Sequence, residues 1–205
     1  GILLVFLALE DCEVLRVERI VLEGSPGRAP VVKTEIINVL KNPAPDRITG
    51  IEIAFRRKAG KTQIVRYFTA DVADASLAGR TAGFMAWLRG QGRFVTLLKS
   101  ASYLLHRESR REAPPHFDTM RTFILDRSDF VIQDDSGIPL RFFPGNLWKR
   151  SYHGKYGVPV PEFARRRQPD LWNEMRERST GRLSFSFGYD TRPGAANVMT
   201  AERIR

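Results

Sequence analysis

The chain has 205 residues and a mass of 23.3 kDa, which suits one domain with a conventional buried core. Hydrophobic residues make up 42% and charged residues 27% of it, so the composition excludes global disorder and a low-complexity protein. The net charge of +10 favours anionic partners as well as solubility, and the single cysteine, Cys12, excludes an intrachain disulfide framework and a cysteine-clustered zinc site.

The first segment is an apolar run, Ile2 to Leu9, followed directly by charged residues. Because it has no polar face, it predicts a buried helix, and it is too short to span a bilayer. The run has no initiator methionine and no basic leader, so we expect a helix already under way in a chain whose N-terminal region has been removed. The compartment therefore stays open between cytoplasmic and exported. The alternation in "EVLRVERIVLE" then predicts a strand.

The middle of the chain begins with proline and glycine punctuation, which predicts a surface loop over residues 24–47 with a short helical or extended piece from Val31 to Leu40. Next, "ITGIEIAFRRKAGKTQIVRYFTADV" predicts an antiparallel hairpin that turns at Lys58 to Lys61. A helix is predicted to start at Asp74 or Ser76 and to run to Leu88, where glycine punctuation follows.

A parallel strand–helix–strand unit is predicted over residues 93–134. The strands are 93–99 and 130–134, and both are near-continuously apolar, as in a sheet covered on two faces. Between them, "SYLLHRE" predicts a short helix that ends before Pro114, and "HFDTMRTFILDRS" predicts a second one.

In the last third of the chain, we expect a strand in "LWKRSYHGKYG", a helix in "PDLWNEMRER" and a strand in "GRLSFSFGYD", followed by a tail. The fold class that follows is a single α/β domain, residues 1–205, with a Rossmann-like mixed sheet and helices on both faces.

Two polar clusters follow the two strands of the predicted parallel unit. The first comprises Lys99, Ser100, Ser102, Tyr103 and His106, and the second comprises Gln133, Asp134, Asp135, Ser136 and Gly137, with Arg141 just beyond. Because ligands bind beyond the carboxyl ends of parallel strands, we expect the clusters to share one crevice.

The residue types suit acid–base chemistry on a small polar or anionic ligand. Asp134 or Asp135 could orient His106 or act as general base, while Lys99 could hold an anionic group. The remaining cluster residues would bind the ligand. The structural alternative is equally open, because Ser100 and Ser102 are good helix caps and Asp135-Ser-Gly is an ordinary turn. The sequence does not decide whether the protein is an enzyme. A serine nucleophile is disfavoured, because "SASYL" lacks the glycine–serine–glycine turn that exposes a catalytic serine hydroxyl.

No cofactor can be named from the sequence. The three histidines, His106, His116 and His153, lack metal-ligand spacing, so no metal site is predicted, although Asp134 and Asp135 leave magnesium as an alternative. Neither GxGxxG nor GxxxxGK[ST] occurs, so no phosphate-binding glycine loop is present in the sequence.

A basic, aromatic segment covers residues 141–167. Its cations are Arg141, Lys149, Arg150, Lys155, Arg165, Arg166 and Arg167, and its aromatic residues are Phe142, Phe143, Trp148, Tyr152, Tyr156 and Phe163. Interleaved cations and aromatics are typical of a groove for single-stranded nucleic acid, which makes polyanion binding the alternative function. A half-buried strand has the same pattern.

The blocks "LLKSASYLLH", "FILDRSDFVIQDDSGIPLRFF" and "YFTADVADASL" resemble an uncharacterised family of bacterial proteins, many of which look exported. The similarity covers most of residues 2–160, and "QDDSGIP" is its most specific part. The resemblance implies a bacterial origin and a further N-terminal region, compatible with the opening of a Rossmann-like sheet. It implies no activity and no catalytic residue.

Overall fold

A computed structural model describes residues 2–23, 30–34, 48–58, 60–104, 115–154, 168–189 and 194–205. Two compact units are distinguished: unit 1 is Gly1–Val72 with Ser76–Gly90, and unit 2 is Ala73–Ala75 with Gln91–Arg205. Each has its own four-stranded sheet, so the chain is α/β as predicted, but with two sheets in place of one. That the chain is a single folding domain stays a prediction.

Unit 1 contains an antiparallel sheet in the order β2–β1–β3–β4. Its strands are β1 (Cys12–Glu23), β2 (Val31–Thr34), β3 (Ile48–Arg57) and β4 (Gln63–Thr69), and the helix α1 (Ile2–Leu9) precedes them. The predicted first strand and hairpin are thereby confirmed. The first helix forms where it was predicted, but its expected burial is wrong for the described side chains, since Val5 is 56% and Leu9 is 75% exposed. Of the extended piece predicted within the loop, the described residues include only β2.

The helix predicted from Asp74 to Leu88 is wrong as one element. It forms two short helices, α2 (Asp74–Ala78) and α3 (Ala82–Arg89), separated by a turn. The turn forms because the Thr81 hydroxyl donates to the Asp71 carbonyl at 2.9 Å, and glycine at position 79 disfavours helix.

The core of unit 1 packs α3 against the sheet through aromatic rings. The Phe68 ring of β4 lies 5.1 Å from Trp87 and 6.0 Å from Phe84. Glu52 of β3 is a buried charge in the same sheet, bonded to Arg16 at 2.6 Å and to Arg66 at 2.7 Å. Burial opposes its ionisation, but the two arginines outweigh burial, so the pKa of Glu52 is lowered.

Unit 2 contains a mixed sheet in the order β5–β6–β8–β7. Its strands are β5 (Phe94–Leu98), β6 (Ser128–Asp134), β7 (Trp148–His153) and β8 (Val198–Arg203). Its described residues include the helices α4 (Asp118–Arg127) and α5 (Pro169–Arg178). Because β5 and β6 are parallel neighbours with α4 between them in the chain, the predicted strand–helix–strand unit is confirmed.

Both α4 and α5 cover the same face of this sheet. Phe94 on that face contacts Phe123 of α4 at 5.5 Å, and Tyr152 on that face lies 5.4 Å from the Arg178 guanidinium of α5. On the opposite face, Val95 is 65% and Leu97 is 58% exposed. The expectation that β5 is buried on both faces is therefore wrong for the described residues, since the described helices of unit 2 cover only one face.

The strand predicted in "GRLSFSFGYD" does not form. The segment makes an isolated antiparallel bridge between Gly181 and Gly154, and its glycines at 181 and 188 have φ values of 109° and 79°, which interrupt an extended strand. The last strand of the sheet is instead β8, which lies in the predicted tail and pairs with both β6 and β7.

Candidate functional site

The two predicted polar clusters lie at one edge of the sheet in unit 2. Leu98 at the end of β5 pairs with Gln133 near the end of β6, so the residues that follow these strands are neighbours. The predicted crevice required that the strands β5 and β6 be neighbours, and they are. His106 lies outside the described residues, so its predicted pairing with Asp134 or Asp135 stays a prediction.

Asp134 is the centre of this edge. Its side chain is 1% exposed, and its carboxylate accepts hydrogen bonds from the Ser100 amide at 2.8 Å, the Ser136 amide at 3.0 Å and the Ser136 hydroxyl at 2.5 Å. Ser100 has a φ of 55°, a left-handed conformation that non-glycine residues rarely adopt. The bond from its amide to Asp134 thus ties a strained turn after β5 to the end of β6.

Glycine is required where the chain passes Asp134 again. Gly188 has a φ of 79°, and a Cβ atom at this position would lie 2.1 Å from Oδ2 of Asp134. The next residue, Tyr189, places its hydroxyl 2.8 Å from the Ser102 hydroxyl and donates to the Ser100 carbonyl at 3.1 Å. Tyr189 was not predicted as a site residue, because it lies within the segment predicted as a strand that does not form.

The other predicted residues of the first cluster are less enclosed or pack on apolar groups. Lys99 is exposed at the end of β5. The Tyr103 ring packs 5.0 Å from that of Phe117 at an interplanar angle of 54°, and burial, aided by Tyr189, raises the pKa of the Tyr103 hydroxyl.

Two glutamines hold the loop that follows Asp134. Gln133 uses both ends of its amide on Ile138, donating to the carbonyl at 2.7 Å and accepting from the amide at 2.9 Å. Gln168 donates to the Asp135 carbonyl at 3.1 Å and accepts from the Leu140 amide at 3.2 Å. Gly137 fits against Gln133, because a Cβ atom there would lie 2.5 Å from its Oε1.

The side chain of Asp135 faces away from this set of bonds. It is half-buried and accepts a hydrogen bond from the Asn197 side chain at 3.2 Å. In the described part of the chain, no group of three or more His, Cys, Asp or Glu side chains could hold a metal ion.

A cleft opens where the same loop ends. It has a volume of about 420 Å³ and lies among the 140–144 segment, β7 and α5. Its lining combines arginines and carboxylates, namely Arg141, Arg150, Arg178, Asp170, Glu174 and Glu177, with Leu140, Phe143, Pro144 and Asn173. Arg141, one of the predicted ligand-binding residues, therefore lies at this cleft, which the sequence analysis otherwise missed.

Glu174 of α5 connects two of these arginines. Its carboxylate contacts Arg178 at 2.5 Å and Arg150 at 3.3 Å. Arg150 also donates to the Phe143 carbonyl at 3.2 Å, which anchors it beside the loop. Two guanidinium groups thus share one carboxylate, while over the whole lining three arginines face three carboxylates.

Tyr152 of β7 lies beneath this ion-pair cluster. Its hydroxyl is buried close to the Glu174 carboxylate, at a geometry short of an ordinary hydrogen bond, and has no other partner in the described chain. Burial raises the pKa of Tyr152 to about 12, with Glu174 adding to the effect and Arg150 opposing it. The hydroxyl is consequently neutral and remains a donor at ordinary pH.

The basic, aromatic segment is not a row of exposed rings. Phe143, Trp148 and Tyr152 are all buried in the core of unit 2, so their rings are closed to stacking on nucleic-acid bases. Lys149 is exposed, whereas Arg150 is held by Glu174 and the Phe143 carbonyl. The remaining predicted contributors, Lys155, Tyr156, Phe163 and Arg165 to Arg167, lie outside the described residues.

Comparison with protein-family models found no match, and neither did comparison with curated protein sequences or with solved structures. No family, activity or ligand comes to the chain from these comparisons.

Proposed function

We propose that unit 2 binds a small polar ligand that carries an anionic group, and that the cleft beside α5 is the binding site. The observation that carries this proposal is the convergence of Arg141, Arg150 and Arg178 on a cavity of about 420 Å³. Cavities of roughly 300–1,000 Å³ hold small-molecule ligands. Guanidinium groups bind carboxylates and phosphates through paired hydrogen bonds.

The ligand would have a polar part as well as an anionic one. Asp170 and Glu177 belong to the same lining, so hydroxyl or amine groups of a ligand would find acceptors there. Arg150 and Arg178 already share Glu174, and an incoming carboxylate or phosphate would take over part of their hydrogen bonding.

In this proposal the "QDDSGIPLRFF" block forms the support of the site. Gln133 and Asp134 hold the loop at its start, and Leu140 to Phe143 reach the cleft at its end. The carboxylate of Asp134 is occupied by three donors, which favours a structural role for it over acid–base catalysis.

The finer fold assignment is also a proposal. The right-handed connection expected for the parallel β5–α4–β6 unit supports a Rossmann-like arrangement of unit 2. Membership in the bacterial family rests on the resemblance of the "KSASYLLH" and "QDDSGIPLRFF" blocks.

The test measures binding of three simple probes to the whole chain by isothermal titration: inorganic phosphate, succinate and methylammonium. The two anions are expected to bind and the cation is not. Arg178→Gln should weaken anion binding by about tenfold, the value of one charged hydrogen bond. Glu174→Gln should strengthen it, because both arginines lose their internal partner.

Arg176→Gln is the matched control. Arg176 lies on the same helix and carries the same charge, but its guanidinium stacks 4.7 Å from the Trp172 ring and it does not line the cleft. If Arg176→Gln weakens anion binding as much as Arg178→Gln does, the anion senses only overall charge and the proposal is wrong.

A further inference from the structure

One end of unit 1 exposes a group of aliphatic side chains. On α1, Leu9 is 75% and Val5 is 56% exposed. Val14 and Leu15 at the start of β1 and Ile64 of β4 are also exposed. Soluble proteins rarely expose aliphatic side chains in such a concentration unless the surface contacts a partner or a membrane.

The strand register brings these side chains to the same end of the sheet, with Val14 on one face, beside Phe55, and Ile64 on the other, beside Ala54. Cys12, the first residue of β1, pairs with Arg57, the last residue of β3. Gln63, the first residue of β4, pairs with Phe55. The helix α1 leads directly into β1, and its Leu7 lines a cavity together with Phe55 and Val65.

Cations accompany the aliphatic side chains. The end of β3 carries exposed Arg56 and Arg57, and the turn that follows carries exposed Lys58 and Lys61. Arg56 pairs with Glu13 and Arg57 with Glu10, both at the same end of the unit. Glu10, Asp11 and Glu13 oppose the four cations, so the described residues of this end carry a net charge of +1, and Lys58 and Lys61 are the cations outside the two ion pairs named above.

We propose that this end of unit 1, comprising α1, the start of β1 and the β3–β4 turn, binds the surface of an anionic lipid bilayer. Aliphatic side chains enter the boundary between headgroups and acyl chains, and lysines beside them are attracted to anionic headgroups. The helix has eight residues, and no helix of the described chain is long and apolar enough to cross a bilayer.

The composition of the surface favours lipid over a second protein copy. Protein interfaces are enriched in aromatic residues and depleted in lysine. Here the exposed apolar side chains named above are aliphatic, whereas the exposed aromatic residue Tyr67 of the same sheet pairs with Ile51, away from this end. The cations outside the two ion pairs named above are lysines. The charges of Lys58 and Lys61 would attract anionic lipid headgroups.

The test is cosedimentation of the whole chain with vesicles of phosphatidylcholine, with and without phosphatidylglycerol. Binding is expected to the anionic vesicles and to weaken as salt is raised. Val5→Gln and Leu9→Gln should each reduce partitioning by about tenfold. Replacing Lys58 and Lys61 by glutamine should reduce it about fivefold per lysine on anionic vesicles and leave binding to neutral vesicles unchanged.

Matched controls separate position from composition. Val31→Gln changes an equally exposed valine, 51% exposed, on β2, which pairs with the opposite end of β1. Replacing Lys149 and Arg182 by glutamine lowers the net charge as much as replacing Lys58 and Lys61 does, but in unit 2. Both controls should bind vesicles as the unaltered chain does.

A second variant gives a gain of signal. In Val5→Trp, the new indole should shift its emission to shorter wavelength on anionic vesicles and be quenched by brominated lipid. Absence of vesicle binding by the unaltered chain, or equal losses in Val31→Gln and Val5→Gln, would overturn the proposal. A third result would also overturn it: the chain self-associates in sedimentation velocity, Leu9→Gln abolishes this self-association, and no vesicle binding is seen. The surface would then bind a second copy of the chain.

Discussion

Replacing Asp134 by asparagine tests whether the strand-end cluster is a structural element of unit 2. The carboxylate accepts from Ser136 through Oδ1 and from the Ser100 amide through Oδ2. In Asp134→Asn one of these oxygens becomes an NH₂ group. If the oxygen stays with Ser136, the amide group faces the Ser100 N–H, donor against donor, across a contact that is now 2.8 Å.

The magnitude follows from these contacts. One hydrogen bond to a charged group is lost, which costs about 1.5–3 kcal/mol, and the bonds to Ser136 lose their charge assistance. Relief from burying a charge offsets part of this loss. We expect the free energy of unfolding of unit 2 to fall by about 2–4 kcal/mol, which corresponds to a decrease in Tm on the order of 10 °C.

The assay is urea unfolding followed by tryptophan fluorescence. Trp87, which belongs to unit 1, is replaced by phenylalanine in every sample, so that Trp148 and Trp172 report unit 2. Asp135→Asn is the control, because an asparagine oxygen can still accept from Asn197. A change of under about 0.5 kcal/mol in Asp134→Asn, typical of a surface substitution, would refute the structural role.

Three further predictions concern single residues. Tyr152→Phe should leave the free energy of unfolding unchanged or higher by about 1 kcal/mol, because a buried hydroxyl without an ordinary hydrogen bond is removed. In the unaltered protein the absorbance of the Tyr152 phenolate should appear only near pH 12. Gly188→Ala should destabilise unit 2 by at least about 1–3 kcal/mol more than Gly92→Ala: the φ values are 79° and 78°, but only at Gly188 would the Cβ meet Asp134. Equal losses in urea unfolding would contradict this packing. The pKa of Glu52 is lowered from 4.5, so the stabilisation that its carboxylate gives unit 1 should be complete above pH 4.5 and be lost as the pH falls through the pKa of the folded state. Thermal unfolding at a series of pH values measures this dependence, and Glu52→Gln should remove it.

Local elements were predictable because their signals are local. Alternation in β1 and the hairpin of β3 and β4 is readable within a few residues, and so is the apolar spacing of α4. The parallel pairing of β5 and β6 followed from the strand–helix–strand order, since such units have a strong topological preference.

The parts that failed depend on pairing between distant segments. Residues 198–203 insert as β8 between β6 and β7, and no local pattern distinguishes this strand from a tail. "GRLSFSFGYD" alternates well, but left-handed glycines at 181 and 188 override the alternation. The division into two sheets also depends on nonlocal contacts that composition does not reveal.

For the candidate site, the sequence indicated the carboxyl ends of β5 and β6, and of the proposed cleft it indicated only Arg141. Asp134 and Gln133 stood out because polar residues ended an apolar run, yet the same signal cannot separate a catalytic carboxylate from one that holds a turn. The cleft joins Arg150 to Glu174 and Arg178 from a helix more than twenty residues away. Only the fold brings these residues together.

The most direct test of ligand binding follows arginine side-chain Nε–Hε signals by NMR while inorganic phosphate is added to the whole chain. We predict that the signals of Arg150 and Arg178 shift together and saturate with one dissociation constant, while that of Arg176 stays in place. Shifts of all three that grow in proportion to phosphate, without saturation, would contradict a binding site at the cleft, because they would report only ionic strength.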